Sequence, residues 1–335
     1  MKKTGLYVLL GLVAAAVHGS NGAETGANMV TSDVVEHSGY SDCIRLENEH
    51  ARVILGLHGG GRVLEYSWKG ENAIYLDAAQ NGWKYGPEKS GIDPYGGRLD
   101  IGPEVVIPRH PDLWLGSWEG EITGPGAARL ISVEDAATGV QLVREFQLDP
   151  VSSQLTCTQI IRNISDEDKH WCHWSRTLAQ GGGICLIPLT RPSRFPNNYI
   201  MYGPGPVMNY LPNDPNILVR QEFLEITGPP SQPKLGMDSC EGWLGYLMRN
   251  DLLFVKRFPT YPDRVYNEMA GLTISIYYCE NRFCELEPIG PMEHIPPGGS
   301  VSFTETWWLL PFPFPEGGSD LDLDDLSERV NREAR

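Results

Sequence analysis

The sequence predicts an all-β protein with a single large domain, and three observations support this prediction. Glycine (37 residues) and proline (26) are abundant and interrupt the chain at short intervals. The runs between them are short and rich in Val, Ile, Leu, Tyr and Trp, whereas long stretches with helical periodicity are scarce. No internal repeat or clear linker divides the chain, so we expect one domain over residues 38–314.

The candidate strands follow one another through most of this domain. They are residues 43–46, 51–57, 61–68, 73–76, 128–134, 141–148, 154–162, 170–178, 252–258, 272–279, 283–287 and 301–310. Residues 70–72 and 165–168 have the composition of hairpin turns. Strands of this number and length favour a large sandwich of packed sheets.

Both ends of the chain are predicted to lie outside the sandwich. Residues 1–23 carry Lys2 and Lys3 before an apolar run and small residues, which is typical of a secretory signal peptide. The apolar run is too short to cross a bilayer, so we expect a periplasmic or secreted protein without stable membrane insertion. Residues 24–37 are expected to form a loose leader, and 315–335 an acidic tail that could contain a short helix.

Charge and motif content exclude several classes of partner. The formal net charge is −16, from 27 basic and 43 acidic residues, which argues against nucleic acids and anionic membranes as partners. The sequence has no phosphate-binding or dinucleotide-binding glycine loop and no CxxC cysteine pair. We therefore expect neither a cofactor nor a metal. The seven cysteines leave their disulfide pairing open.

Two carboxylates in the strand at 283–287 are the strongest candidates for chemistry. Alternation along a strand places Glu285 and Glu287 on the same face, beside the loop that begins at Pro288. Neighbouring carboxylates shift each other's pKa, which prepares such groups for general acid or base catalysis. A solvated polar face is the alternative interpretation.

The segment Leu286-Glu287-Pro288, followed by a loop, a Pro-Gly turn and a strand that ends in aromatic residues, resembles the galactose mutarotase (aldose 1-epimerase) superfamily. The resemblance extends over about residues 43–310 and is closest to an uncharacterised exported bacterial branch. It implies a galactose mutarotase-like β supersandwich and a carbohydrate ligand. It also implies that Glu287 is the catalytic base.

The same resemblance implies that His173 is the general acid, although the sequence departs from the family here. The family has an Asn-His-x-Tyr-Phe segment, and this chain has Cys-His-Trp-Ser-Arg at residues 172–176. Alternation places Trp171 and His173 on one face of the strand and Trp174 and Arg176 on the other. His173 and Arg176 therefore cannot both point into one site from a regular strand, and a packing role for His173 remains open.

Several further residues are candidates for ligand binding. Arg98 and Glu104 lie in a glycine-rich segment, and either they contact a ligand or they form an internal ion pair. Lys256 and Arg257 point to opposite faces of one strand. If the sheet resembles that of the family, one of them is expected to face the same concave side as Glu287. The complete set of predicted binding residues is Arg98, Glu104, Trp171, Arg176, Glu285 and Lys256. Three tryptophans in loop-like segments are candidates to stack on a sugar ring: Trp83, Trp114 and Trp118.

Three functions are consistent with the sequence. The first is an exported enzyme of aldose 1-epimerase type that interconverts sugar anomers by general acid and base catalysis. The alternative is a non-catalytic glycan-binding or accessory protein of polysaccharide utilisation, because a fold alone does not determine function. Elimination on uronic acid chains is a third possibility, which would need a Tyr or His base and a neutralising Arg in one cleft.

Overall fold

The computed structural model describes residues 29–86, 88, 91–204, 207–315, 317 and 321–335. The predicted signal peptide, residues 1–23, lies outside the described residues. The described chain forms two large antiparallel sheets, which confirms the predicted galactose mutarotase-like β-sandwich architecture. No helix in the described part of the chain is long and apolar enough to span a bilayer.

The strands are short and follow one another along the chain. They are β1 (Thr31–His37), β2 (Tyr40–Glu47), β3 (Ala51–Gly56), β4 (Arg62–Trp68), β5 (Glu71–Asn72), β6 (Gly97–Gly102), β7 (Glu119–Gly124), β8 (Ala127–Ile131), β9 (Val140–Leu148), β10 (Leu155–Asn163), β11 (Cys172–Gln180), β12 (Ile184–Pro188), β13 (Ile200–Tyr202), β14 (Met208–Asn209), β15 (Ile217–Arg220), β16 (Phe223–Ile226), β17 (Lys234–Met237), β18 (Trp243–Met248), β19 (Leu252–Arg257), β20 (Ile274–Cys279), β21 (Phe283–Pro288) and β22 (Ser300–Pro311). The helices are α1 (Pro111–Leu115), α2 (Leu323–Glu333) and two single 3₁₀ turns at Ala78–Gln80 and Met269–Gly271.

The order of the strands places the candidate site in the middle of the first sheet. That sheet has the order β1-β2-β3-β4-β6-β11-β21-β20-β17-β13-β14, with β5 paired to β4. The second sheet has the order β15-β16-β12-β18-β19-β22-β10-β9-β8-β7. Apolar residues from the facing sides of the two sheets, such as Leu99, Leu286, Phe254 and Leu309, form the main core. Burial of this apolar surface holds the sheets together.

The N-terminal strand differs from the expected loose leader. Residues 31–37 pair with β2 from Thr31 opposite Glu47 to His37 opposite Tyr40, so they form the edge of the first sheet. Polar residues alternate irregularly with Val34 and Val35, and none of the strand is buried, which explains the weak signal in the sequence. Conversely, the expected strand at 73–76 contributes only a single bridge, between Ile74 and Ala179.

The C-terminal residues form a helix on the outer face of the second sheet. Helix α2 begins after Asp322, whose side chain accepts a hydrogen bond from the Asp325 amide. Its buried side chains Leu323, Leu326 and Val330 pack in a cluster with apolar residues of the second sheet. The sheet is therefore covered on both faces at this position.

The glycine turn at residues 59–61 joins β3 to β4 and contacts the C-terminal end of α1. All three glycines have positive φ, of 72°, 88° and 58°. A Cβ on Gly60 would lie 2.3 Å from the carbonyl oxygen of Trp114, and the Gly60 amide donates to the Gly116 carbonyl at 3.0 Å. Only glycine allows this backbone to approach so closely, so the turn has a structural role.

Candidate functional site

The centre of the site is built by β6 and β11, which are neighbours in the first sheet. Their register pairs Arg98 with Arg176 and Asp100 with Trp174, so these four side chains project from the same face. That face is turned away from the second sheet and towards α1. Arg176 and Trp174 share it, as alternation along the strand predicts.

Glu285 lies on this face and is held as an anion by two arginines. Its Oε1 lies 3.0 Å from Nε of Arg176 and 3.5 Å from Nη2 of Arg98, and its side chain is almost completely buried. Burial raises the pKa of Glu285, but the charges of Arg176 and then Arg98 outweigh this effect and leave the pKa below its ordinary value. This carboxylate therefore offsets part of the positive charge of the two guanidinium groups.

Glu287, two residues further along β21, has a different environment. It is 1% exposed, and its Oε2 accepts a hydrogen bond from Nε1 of Trp174 at 2.7 Å. Its Oε1 has no hydrogen-bond partner among the described residues. Burial, and then the neighbouring charge of Glu285, raise the pKa of Glu287 to about 7. A carboxyl with this pKa can take up and release a proton near neutral pH.

An open cleft of about 340 Å³ lies beside these residues. This volume is near the lower end of the range for small-molecule pockets. The cleft is bounded on one side by the sheet and on the other by the segment that leads into α1. Its lining residues are Asp100, Glu104, Ile107, Pro108, Arg109, His110, Pro111, Trp114, Leu115, Trp174 and Arg176.

His110 is a cleft residue that the sequence did not reveal. Its Nε2 lies 3.0 Å from Oδ1 of Asp100, and its Nδ1 lies 2.7 Å from the carbonyl oxygen of Pro108. Burial lowers the pKa of His110, but the hydrogen bond and charge of Asp100 outweigh it and raise the pKa to about 9. The imidazole is thus a cation at neutral pH. It lies in a loop, where no strand alternation can assign it to a face.

Aromatic rings and cations alternate across the cleft side of the first sheet. This cation–aromatic stack consists, in order, of Trp114, Arg98 with Arg176, Trp174, Lys234 and Tyr202. The guanidinium carbon of Arg98 lies 4.0 Å from the ring centre of Trp114, and that of Arg176 lies 4.8 Å from the ring centre of Trp174. Nζ of Lys234 lies 4.9 Å from the same Trp174 ring. Such contacts stabilise both partners when they are shielded from water.

The stack alters the expected roles of the loop tryptophans. Trp114 does line the cleft, but its ring also packs against the guanidinium group of Arg98. Trp118 is a core residue, 3% exposed, and its indole donates to the Leu113 carbonyl. Trp83 lies outside the cleft lining, near Tyr85.

Glu104 and Arg98 both belong to the site, but they do not pair with each other. Oε2 of Glu104 lies 2.6 Å from Nζ of Lys234, at the edge of the cleft. Arg98 instead binds Asp93, with 2.9 Å between Nη1 and Oδ1, and also contacts Glu285. The sequence did not reveal Lys234, which comes from the short strand β17.

The assignment of His173 as general acid is wrong for this geometry. Its side chain points between the two sheets, away from the face that carries Glu287, and its ring stacks on Phe303 with 5.6 Å between the ring centres. Burial lowers the pKa of His173 to about 3, so the ring is neutral at physiological pH. The packing interpretation is therefore the correct one.

Trp171 and Lys256 also lie outside the cleft. The indole of Trp171 is on the same inner side as His173 and donates to the Thr138 carbonyl at 3.2 Å. Lys256 belongs to the second sheet and is fully buried between the sheets, while Arg257 points outwards and bonds to the carbonyl of Ala334. The expectation that one of the two cations faces the cleft is wrong, because β19 is not part of the sheet that forms it.

No group of three or more His, Cys, Asp or Glu side chains in the described residues is arranged to hold a metal ion. The seven cysteines are unpaired, and five of them are buried.

Several solved structures have a similar fold. The Slr1438 protein of Synechocystis sp. PCC 6803 superimposes with a TM-score of 0.56 at 16% identity, over 83% of this chain and 99% of that one. A galactose mutarotase-like protein of Lactobacillus casei ATCC 334 gives a TM-score of 0.55 at 11% identity, over 80% of this chain and 100% of that one. This protein has the galactose mutarotase-like fold.

A third similar structure is an aldose 1-epimerase candidate of Escherichia coli K12, with a TM-score of 0.51 at 12% identity, over 84% of this chain and 99% of that one. No family model matches the sequence, and no curated protein matches it. At these identities the similarity establishes the fold, and the function has to be argued from the cleft.

Proposed function

We propose that the protein is a carbohydrate-active enzyme of aldose 1-epimerase type, with Glu287 as its general base. The observation that carries this proposal is the state of the Glu287 carboxyl. One oxygen is fixed by Trp174, the other has no partner among the described residues, and the pKa is raised to about 7. General bases work best when their pKa lies near the working pH.

In the proposed reaction, Oε1 of Glu287 takes the proton from the anomeric hydroxyl of a pyranose. The bond between the anomeric carbon and the ring oxygen then breaks, its electron pair moves to the ring oxygen, and the anomeric carbon becomes an aldehyde. The ring oxygen takes a proton from an acid of the cleft. Rotation of the aldehyde and reversal of these steps yield the other anomer, with each residue returned to its starting protonation state.

We assign the acid to His110 instead of His173. His110 lines the cleft and is a cation at neutral pH with a pKa of about 9. Its two ring nitrogens bond to Asp100 and to the Pro108 carbonyl, so the proposal requires one of these hydrogen bonds to be exchanged for one to the ring oxygen of the sugar. A proton donor with this pKa complements a base with a pKa of about 7. Placed proton donors and acceptors each contribute roughly 10² to 10⁴ in rate.

Access to the base is a part of the proposal. Glu287 is only 1% exposed and lies behind the Trp174 indole, whereas Trp174 and Arg176 border the cleft directly. A sugar hydroxyl therefore reaches Oε1 by a shift of the indole ring. Arg176 and Glu104 are then among the polar groups available to other hydroxyls of the sugar.

The decisive experiment is to measure anomer interconversion by NMR with a panel of aldoses and uronic acids. We expect acceleration over buffer with at least one sugar, and a loss of about 10² or more in Glu287→Gln. Glu225→Gln is the matched control, because Glu225 is equally buried but belongs to the second sheet. Absence of acceleration with every sugar would contradict the enzyme proposal, as would an equal loss in both variants.

The burial of Glu287 also favours a second candidate function, a non-catalytic glycan-binding protein that uses the cleft alone. In that case a sugar would show line broadening on addition of protein, without any change in anomer exchange. Export to the periplasm or beyond belongs to both proposals and is supported by the signal-like composition of residues 1–23. Comparison of the N-terminus of the exported and cytoplasmic protein tests it.

A further inference from the structure

A cluster of buried polar groups lies between the two sheets, directly behind the cleft. We call it the interior cluster, and at its centre is the ammonium group of Lys256 on β19. Nζ lies 3.0 Å from Oε2 of Glu305, and it donates to Oγ of Ser175 at 2.9 Å and Oγ1 of Thr177 at 3.1 Å. It also donates to the carbonyl oxygen of Leu286 at 3.2 Å. Lys256 and Glu305 are both completely buried.

The partners of Lys256 in the first sheet are the immediate neighbours of cleft residues. Ser175 and Thr177 stand on either side of Arg176 in β11. Leu286 stands between Glu285 and Glu287 in β21. One ammonium group of the second sheet thus binds the back of the two adjacent strands whose front carries the candidate base and its neighbouring cation.

The carboxylate of the cluster is itself fixed in place. Oε1 of Glu305 accepts a hydrogen bond from Gln159 at 2.8 Å, and Oε2 accepts one from Nε1 of Trp307 at 2.8 Å. These groups come from β10 and β22, which flank each other in the second sheet. Lys256 is therefore attached to a rigid frame and not to a mobile side chain.

Arg144, a second buried cation of the second sheet, makes the same kind of contact with the backbone of the first sheet. It extends from β9 of the second sheet, is fully buried, and donates from Nη1 to the carbonyl oxygens of Gly61 and Gly97, both at 2.9 Å. Gly97 precedes Arg98 in β6. Two buried cations of the second sheet thus hold backbone of the first sheet next to residues of the cleft.

Stability alone does not account for such a cluster. Transfer of two charges from water to a protein interior is costly, and well-packed apolar residues of the same volume often stabilise a core as well or better. Hydrogen-bonded charges contribute geometric specificity in addition to stability, because each bond fixes the position of one atom relative to another. We propose that Lys256 is a positioning residue, which fixes β11 and β21 relative to each other from behind and so sets the placement of Arg176 and Glu287.

The test uses the double variant Lys256→Met, Glu305→Gln, which removes both charges and keeps the side-chain volumes similar. We expect the folded variant to show a displaced indole N–H resonance of Trp174, and a change of about half a pH unit or more in the pKa of Glu287 followed by carboxyl NMR. Neither readout needs turnover. These two NMR readouts therefore test the positioning role even if the protein is not an epimerase. Only the expected effect on the reaction rate rests on the proposed function.

The matched control is Arg220→Met, Glu225→Gln, which removes an ion pair with a buried carboxylate three strands away in the same sheet. We expect this control to leave both NMR readouts unchanged. If the protein has epimerase activity, the Lys256 double variant should lower kcat about tenfold or more with a smaller change in KM, because the misplacement of a base affects the chemical step.

A second variant, Ser175→Ala with Thr177→Val, tests the same contact and leaves the Lys256 and Glu305 charges paired. This variant provides the test if the first variant does not fold. We expect the Trp174 resonance and the pKa of Glu287 to change in the same direction as in the first variant. Unchanged Trp174 and Glu287 signals in a folded variant of either kind would overturn the proposal. Equal changes in the Arg220 control would also overturn it, since they would indicate a general effect of charge removal.

Discussion

Replacement of Glu287 by Gln should make the protein more stable at high pH. The folded protein binds a proton at Glu287 up to a pKa of about 7, whereas the ordinary value, which applies to the unfolded chain, is 4.5. Between these two pH values the unfolded state has lost the proton and the folded state has kept it. The free energy of unfolding therefore falls as the pH rises through this window. This difference in pKa corresponds to a decrease of roughly 3 kcal/mol in the free energy of unfolding.

The assay is urea unfolding of the wild type and of Glu287→Gln at about pH 4, 6 and 8. Gln keeps an oxygen that accepts the hydrogen bond of Trp174, so the comparison mainly removes the charge. We expect nearly equal stability at about pH 4, where the carboxyl is protonated in both states. At about pH 8 the variant should be more stable by roughly 3 kcal/mol.

Glu285→Gln is a control of opposite sign. The pKa of Glu285 is lowered, since Arg176 and Arg98 outweigh the effect of burial, so its charge contributes stability above the unfolded value of 4.5. This variant should be less stable than the wild type at about pH 8, and the difference should shrink as the pH falls below 4.5. A stability difference for Glu287→Gln that stays constant from about pH 4 to 8 would refute the assignment of a raised pKa, and with it the argument for a base.

Two further predictions concern His110, in the segment that leads into α1, and Gly60, in the turn that contacts α1. His110→Asn should be less stable than the wild type at about pH 6 by roughly 1 kcal/mol or more, because the raised pKa contributes stability below 6.5 that is lost as the pH rises through about 9. Thermal unfolding at about pH 6 and 10 checks this, and an equal difference at both would contradict it. Gly60→Ala should cost more than Gly70→Ala in urea unfolding by at least about 1 kcal/mol. Both glycines have φ near +90°, but of the two only Gly60 would place a Cβ against backbone, at the carbonyl of Trp114. Equal losses of stability in the two variants would contradict this close approach.

Local periodicity explains what the sequence could predict. Alternation along a strand depends only on the chain itself, so it correctly placed Glu285 with Glu287, and Arg176 opposite to His173. The same alternation left a packing role open for His173, and its position between the sheets confirms that role. Only the resemblance to a family favoured this histidine as an acid, and the histidine segment of that family is absent here.

Sheet membership explains what the sequence could not predict. Alternation states that Lys256 and Arg257 face opposite ways, but it does not state which of two sheets contains the strand. His110 lies in a loop and Lys234 in a four-residue strand, where periodicity has little to act on. Their positions follow from tertiary packing around Trp174 and Asp100, which no local pattern encodes.

If the cleft binds a sugar, as we propose, the cation–aromatic stack determines which features of that sugar the cleft can distinguish. Stacking on an open indole recognises the apolar face that many pyranoses share, and it is therefore tolerant of stereochemistry. Here the rings of Trp114 and Trp174 are already in contact with Arg98, Arg176 and Lys234. A pyranose would instead be recognised through its hydroxyl groups. A site built on hydrogen bonds rejects a ligand that leaves the polar groups of the site unpaired. Axial and equatorial epimers should therefore differ strongly in affinity for this cleft.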